Sequence, residues 1–218
     1  MQAIMESLFD VLYLGTVTYL GVQMVVGSKR NKFFRIFGVM AIILGFGDAF
    51  HLIPRMIALW GEGVEAHAFA LGFGKLVTSF TMTVFYVILY HIWAMYYNVR
   101  TTKTLTWTVY ILAFIRIALL FFPQNDWFSI DSPLSWGIYR NIPFALLGVL
   151  LIILFYRESK DMHDQVFKYM WLAITLSFAF YIPVVLWADT YPLVGMLMIP
   201  KTCAYVWMVW MGYSEFKK

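Results

Sequence analysis

Seven long apolar runs divide this chain of 218 residues, and they constrain its fold more than any other feature. A membrane-spanning helix needs about 20 largely apolar residues. Seven such helices with short loops use the whole length, so we predict an all-α, seven-helix integral membrane bundle that forms a single domain. Composition agrees, because 13% of the residues are charged, against about 25% in an ordinary soluble domain. The predicted spans lie near residues 8–26, 34–57, 68–96, 104–122, 136–156, 166–188 and 193–213.

Basic residues are distributed unevenly between the predicted loops. One set lies in or beside the segments that join spans 1 and 2, 3 and 4, and 5 and 6, and in the C-terminal tail: Lys29, Arg30, Lys32, Arg35, Arg100, Lys103, Arg157, Lys160, Lys168, Lys217 and Lys218. The opposite segments hold only Arg55 and Arg140. The positive-inside rule then places the N-terminus outside the cell membrane and the C-terminus in the cytoplasm. The net charge of +4 follows from this topology and does not indicate a nucleic-acid partner.

Five ionisable residues lie inside the predicted spans, where lipid cannot solvate them. A Lys, Arg or Asp at the centre of a span costs about 2.5–3.5 kcal/mol. Counting a rise of about 1.5 Å per residue, all five fall at a similar depth in the outer half of the bilayer. We therefore predict that they face one another around a polar cavity. They are Asp48 and His51 on helix 2, Lys75 on helix 3, Arg116 on helix 4 and Lys201 on helix 7.

Helical spacing places further polar side chains beside this layer. Arg55 follows Asp48 and His51 in an i, i+3, i+7 pattern, which shares one face of a helix. Pro200 directly precedes Lys201, and because proline removes an intrahelical hydrogen bond, we expect a kink beside the lysine. The residues added to the layer in this way are Arg55 on helix 2, Arg140 and Asn141 on helix 5, and Tyr205 on helix 7.

The layer carries more positive than negative charge. Three cations, Lys75, Arg116 and Lys201, stand against the single carboxylate of Asp48, so the surplus is about +2 when His51 is neutral. Pairing inside the protein cannot remove this surplus, because an arginine side chain stays charged. We therefore predict an anionic ligand, a carboxylate or phosphate of a small molecule or of a lipid headgroup. The same cations would repel a divalent metal ion, so no metal site is predicted.

These residues are assigned two kinds of role. Asp48 and His51 are candidates for acid/base catalysis on a lipid substrate. The candidates for ligand binding are Arg55, Lys75, Arg116, Arg140, Asn141, Lys201 and Tyr205. A transporter whose substrate path follows these charges is a second hypothesis, and a purely structural ion pair of Asp48 with one lysine is the alternative for each residue. Membrane lipids are the expected partners, and no resident cofactor is predicted.

The segment Gly47–Arg55, with the sequence GDAFHLIPR, resembles a stretch of the bacterial lysoplasmalogenase-like membrane proteins. The polar helix residues of that family are associated with cleavage of lysophospholipid ethers. The resemblance covers this short segment alone. It implies an acid or base role for Asp48 and a lipid substrate.

Three elements late in the chain resemble helices 6 and 7 of the microbial rhodopsins. They are Phe167-Lys168, the segment Tyr181–Trp187 with the sequence YIPVVLW, and the intramembrane Lys201. This resemblance implies a retinal Schiff base at Lys201. Tyr181, Pro183 and Trp187 would then lie beside the polyene. Helix 3 lacks the arginine and the acidic counterion usual in that family, so Asp48 would have to serve as the counterion. A retinal-binding protein is the third hypothesis.

Overall fold

The computed structural model describes residues 2–29, 31–61, 63–129, 132–188 and 190–218. This part of the chain is all-helical, and seven of its helices are long and apolar enough to cross a membrane, which confirms the predicted number. They are α1 (Gln2–Gly27), α2 (Lys32–Trp60), α3 (Ala68–Tyr96), α4 (Lys103–Leu120), α5 (Leu134–Asp161), α6 (Met170–Trp187) and α7 (Met198–Phe216). Arg30, one of the basic residues used to predict the topology, lies outside the described residues.

The seven helices form a closed ring in chain order. Each helix packs against the next, and α1 packs against α7, so the first and last helices close the ring. Contacts of α3 with α5 and of α2 with α7 fill its interior. Short loops make successive helices antiparallel. We call the end of the bundle at which α1 begins the N-terminal end, and the opposite end, where α7 finishes, the C-terminal end.

Two helices begin at side chains that cap their free amides. Asn31 accepts a hydrogen bond from the Phe33 amide at 3.0 Å before α2, and Thr102 accepts one from the Leu105 amide at 3.2 Å before α4. Such caps satisfy backbone donors that have no partner within the helix. The starts of α2 and α4 are therefore fixed by local sequence at the C-terminal end of the bundle.

A glycine on α3 allows that helix to lie close to α2. A β-carbon at Gly74 would overlap the Phe50 carbonyl oxygen and approach the His51 α-carbon. Only a residue without a side chain permits this backbone contact. The close approach places His51 directly against α3.

The expected kink at Pro200 is wrong, because α7 begins later than the predicted span. A 3-10 turn, Pro192–Leu197, precedes the helix, and α7 starts at Met198. Pro200 therefore lies in the first helical turn, where its missing amide has no intrahelical partner to lose. Lys201 follows directly, one turn inside the N-terminal end of the bundle.

One carboxylate organises the loop between α5 and α6 at the C-terminal end. Asp164 accepts hydrogen bonds from the hydroxyls of Tyr96 at 3.1 Å and Tyr97 at 2.7 Å, and from the amides of Val166 at 2.8 Å and Phe167 at 3.0 Å. Burial, the hydrogen bond to Asp164 and the charge of that carboxylate raise the pKa of Tyr97 well above its ordinary value, so its phenol remains a donor. We call these five residues the Asp164 cluster.

Candidate functional site

Acidic side chains of α1 and α2 form the first part of the site. Glu6, Asp10 and Tyr13 are spaced i, i+4 and i+7, so they share one face of α1. Glu6 forms an ion pair with Arg55, and Tyr13 donates its hydroxyl to Asp48 Oδ2 at 2.5 Å. The predicted site does not include these α1 residues, because Glu6 precedes the first predicted span, and Asp10 and Tyr13 lie near the end of that span, where polar groups are ordinary. Their common helical spacing is the signal that identifies them.

Asp10 and Asp48 are neighbouring buried carboxylates. Their exposed fractions are 5% and 8%, and each lies within electrostatic range of the other. Asp10 Oδ2 is buried and has no hydrogen-bond partner within the described part of the chain. Two buried carboxylates side by side repel each other when both are ionised.

His51 lies at the contact between α2 and α3. Its ring bonds to the Leu71 backbone, and its Nδ1 is buried without a hydrogen-bond partner among the described residues. Arg55, Lys75 and Lys201 all lie within electrostatic range of the ring. In the ranges that the structure describes, no group of three or more His, Cys, Asp or Glu side chains is placed to hold a metal ion.

Lys201 on α7 lies close to two aromatic side chains, Tyr181 of α6 and Tyr205 of α7. Its side chain is buried, with 7% exposed. The ammonium is 4.9 Å from the centre of the Tyr181 ring and 5.5 Å from that of Tyr205, and it is 4.0 Å from Met198 Sδ. Lys201 also attracts Asp48 electrostatically, although the two do not form an ion pair within 4.0 Å. Its charge is thus stabilised by aromatic faces and by a carboxylate that it does not touch.

Arg116 on α4 is the most deeply buried charge of the site. Its exposed fraction is 2%, and its guanidinium carbon lies 3.3 Å from the centre of the Phe144 ring. Nε and Nη1 are both buried and have no hydrogen-bond partner in the described chain. The ionisable groups with the largest electrostatic effect on Arg116 are Tyr181, Tyr205, Arg140 and Tyr86. This set contains three neutral phenols and a second cation, and it contains no carboxylate.

The loop between α4 and α5 covers Arg116 at the N-terminal end. Arg140 donates to Asn125 Oδ1 at 2.9 Å, and its guanidinium lies 4.3 Å from the centre of the Trp127 ring. Trp127 in turn donates its indole N–H to the Leu120 carbonyl at 2.8 Å. A β-carbon at Gly72 would overlap the Trp127 carbonyl, so this glycine lets the loop seat on α3.

Hydroxyl groups of α3, α6 and α7 complete the site. Tyr181 donates to Asn141 Oδ1 at 3.1 Å. The Tyr86 hydroxyl lies 3.1 Å from Ser177 Oγ and beside Tyr205. These groups can donate or accept, so they can adapt to a charged group placed among them. We call the buried and partly buried set of Asp10, Tyr13, Asp48, His51, Tyr86, Arg116, Tyr181, Lys201 and Tyr205 the polar layer.

Two surface grooves lie away from the polar layer. One, of about 260 Å³, is lined by Leu76, Val77, Phe80 and Phe121. The other, of about 380 Å³, is lined by Thr101, Lys103, Thr106, Trp107 and Tyr110. Neither groove is lined by a residue of the polar layer.

The predicted site residues differ in their burial. Asp48, Arg116, Lys201 and Tyr205 are buried, Arg55, His51, Arg140 and Asn141 are partly buried, and Lys75 is exposed. Electrostatic interactions link Asp48 to Lys201 and Arg116 to Arg140. Of the residues that the rhodopsin resemblance places beside Lys201, Tyr181 contacts the lysine, whereas Trp187 is 50% exposed.

Comparison with protein-family models, with curated proteins and with solved structures finds no match for this chain. The function proposed next rests on the side chains described above.

Proposed function

We propose that this multi-pass membrane protein binds an anionic group in the polar layer, between Arg116 and Lys201. The observation that carries the proposal is the state of Arg116, which is buried with Nε and Nη1 unpartnered among the described residues. A guanidinium cannot neutralise itself by losing a proton. The face of Phe144 attracts the charge but accepts no conventional hydrogen bond. An anion that accepts a hydrogen bond from either N–H group lowers the cost of burying the guanidinium.

Four side chains are suited to hold the anion. Arg116 supplies two charge-assisted donors, which are stronger than neutral ones. Lys201 adds a second cation, and Tyr181 lies beside both of these cations. Arg140, held over Trp127, adds positive charge at the N-terminal mouth and favours the approach of an anion. Arg55 is engaged by Glu6 and is therefore left outside this set.

The expected ligand is a carboxylate or phosphate group of small size. The rings of Phe144 and Tyr181 lie against each other and against the two cations, so the space beside Arg116 suits a headgroup-sized anion better than a bulky one. A free small molecule and the headgroup of a lipid share this chemistry. The test below includes one arm for each source.

We further propose that the N-terminal end of the bundle faces the outside of the cell membrane, so that the ligand arrives from there. The excess of basic residues at the C-terminal end supports this orientation. Reporter fusions after Lys103 and after Lys160 should read as cytoplasmic, and a tag between residues 124 and 135 should be accessible from outside. The reversed pattern would place the anion site on the cytoplasmic side.

Thermal unfolding of the purified protein tests the anion site. The probes are benzoate, inorganic phosphate and a short-chain phosphatidylglycerol. A ligand that binds only the folded state at one hundred times its dissociation constant adds about 2.7 kcal/mol of stability, which corresponds to a rise of about 5–10 °C in melting temperature at this chain length. We expect a saturable rise with at least one probe. Benzoate and phosphatidylglycerol separate a free carboxylate from a lipid headgroup.

The variants decide where the probe binds. Arg116→Met should abolish the rise, and Arg116→Lys, which keeps the charge without the planar fork, should weaken it. Arg157→Met is the matched control, because Arg157 is an exposed arginine near the other end of the bundle, and it should respond like the wild type. An equal rise in Arg116→Met and wild type, or no saturable rise with any probe, would overturn the proposal.

A further inference from the structure

Asp48 is a buried carboxylate with two different stabilising partners. Tyr13 donates a neutral hydrogen bond at 2.5 Å, and Lys201 supplies an electrostatic attraction without direct contact. The exposed fraction of Asp48 is 8%. An ionised carboxylate at this depth needs a compensating positive charge, because a neutral donor alone does not offset the loss of water. Lys201 is the cation that provides it.

The groups that face Asp48 are few. From α1 come Tyr13 and the carboxylate of Asp10, and from α7 come Lys201 and the phenol of Tyr205. From α3 comes Thr78, a neutral residue that donates its hydroxyl to the Gly47 carbonyl at 2.9 Å. On α2 itself, His51 lies one turn away on the same face. Lys201 is thus the cation that acts on Asp48, whereas the neighbouring Asp10 lies within range of Arg55.

Lys201 also lies on the side of the polar layer where the anion is proposed to bind. Its ammonium lies over the Tyr181 ring, and Tyr181 also lies within electrostatic range of Arg116. The lysine stem has four carbons and rotatable donors, so a small movement can turn the ammonium from one side to the other. An anion held by Arg116 therefore competes with Asp48 for the same positive charge.

We propose that binding of an anion between Arg116 and Lys201 is coupled to the uptake of one proton by Asp48. This inference rests on the function proposed above. When Lys201 turns to the anion, Asp48 keeps only the neutral Tyr13 donor and faces the charge of Asp10. A proton from solvent then forms an O–H bond on a carboxylate oxygen of Asp48, and no bond within the protein is broken. The charge of the buried layer is unchanged, because one negative group and one proton enter together.

This coupling makes the site a proton-linked anion site. Binding should strengthen as pH falls, and with one proton linked to one anion, the affinity should fall about tenfold for each unit that pH rises within the coupled range. The charge balance is the same for a free carboxylate and for a lipid phosphodiester.

Proton counting tests the coupling. The purified protein in weakly buffered detergent, at about pH 6 to 8, is titrated with benzoate or with short-chain phosphatidylglycerol, since carboxylates and phosphodiesters do not titrate there. Bound anion is followed by melting temperature and proton uptake by an indicator dye. We expect about one proton per bound anion in the wild type, and no uptake in Asp48→Asn while binding persists. Asp161→Asn, an exposed aspartate at the end of α5, is the matched control and should behave as the wild type does.

The outcomes are distinguishable. Wild-type binding without proton uptake, or equal uptake in Asp48→Asn, overturns the coupling and leaves the anion site intact. Absence of anion binding in the wild type overturns the proposed function and the coupling with it. If Asp48→Asn does not fold, the wild-type affinity for benzoate measured against pH decides, because a flat profile contradicts the coupling and a tenfold fall per unit supports it.

Discussion

The Asp164 cluster and the polar layer differ in how completely their charged groups are hydrogen-bonded. Both oxygens of Asp164 accept hydrogen bonds, from two hydroxyls and two amides. In the polar layer, by contrast, buried atoms of Asp10, His51 and Arg116 lack hydrogen-bond partners among the described residues. Buried polar groups in folded proteins are nearly always satisfied when their role is structural. The comparison indicates a structural role for Asp164 and supports the proposal that the polar layer binds an anion.

The largest effect on stability should come from Asp164→Ala. The substitution leaves two phenols and two amides without their acceptor, and loss of hydrogen bonds to a charged group should cost about 3 kcal/mol or more. The measurement is the free energy of unfolding in mixed micelles. Asp161→Ala, which removes an exposed aspartate nearby, should change it by less than about 0.5 kcal/mol. Equal effects of the two variants would show that the hydrogen bonds of Asp164 do not stabilise the fold.

Tyr13→Phe should have an intermediate effect. It removes the hydroxyl that donates to Asp48 and leaves that buried carboxylate with Lys201 alone, which should cost about 1–2 kcal/mol. Tyr19→Phe is the matched control, because Tyr19 lies on the same helix and is 60% exposed. The unfolding free energies of both variants are compared with that of the wild type. If Tyr13→Phe were as harmless as Tyr19→Phe, this hydrogen bond would contribute nothing to the polar layer.

Arg116→Met should change the stability of the ligand-free protein by less than about 1 kcal/mol, or increase it. An apolar side chain of similar length removes a buried charge that lacks a partner, and such replacements are often neutral or stabilising. This result would sharpen the comparison, since Asp164 and Arg116 are both buried or partly buried charges with opposite predicted effects. A loss as large as that of Asp164→Ala would mean that Arg116 is structural.

The smallest effect should come from the ion pair of Arg55 with Glu6. The side chain of Arg55 is 39% exposed, and pairs that water reaches contribute about 0.2–1 kcal/mol. A double-mutant cycle with Arg55→Met and Glu6→Gln measures this coupling free energy directly. A coupling free energy above about 2 kcal/mol would show that the pair of Arg55 and Glu6 is as strongly coupled as a buried ion pair, although water reaches Arg55.

Much of the fold and part of the site were predictable from sequence. The apolar runs predicted seven spans, because a membrane helix is long and almost free of charge. Asp48, Arg116 and Lys201 were singled out for the same reason, as charges inside apolar runs, and all three are buried.

Other residues escaped prediction for physical reasons. Glu6 and Asp10 lie in the first turns of α1, where charge is ordinary at the end of a membrane span, so their burial depends on packing against α2. Trp127 lies in the loop between α4 and α5, and its indole N–H donates to the Leu120 carbonyl, a contact that forms only when the loop folds back. Asp164 sits in a loop, and its four donors come together only in the folded chain. Tertiary contacts decided each case.

The most direct test of the anion site is a density map of the protein purified with its native lipids. The account predicts density for a small anionic group within hydrogen-bond distance of Arg116 Nε or Nη1, with Lys201 turned toward it and away from Asp48. A map in which both guanidinium nitrogens bond to protein groups, with no density between Arg116 and Lys201, would contradict the account.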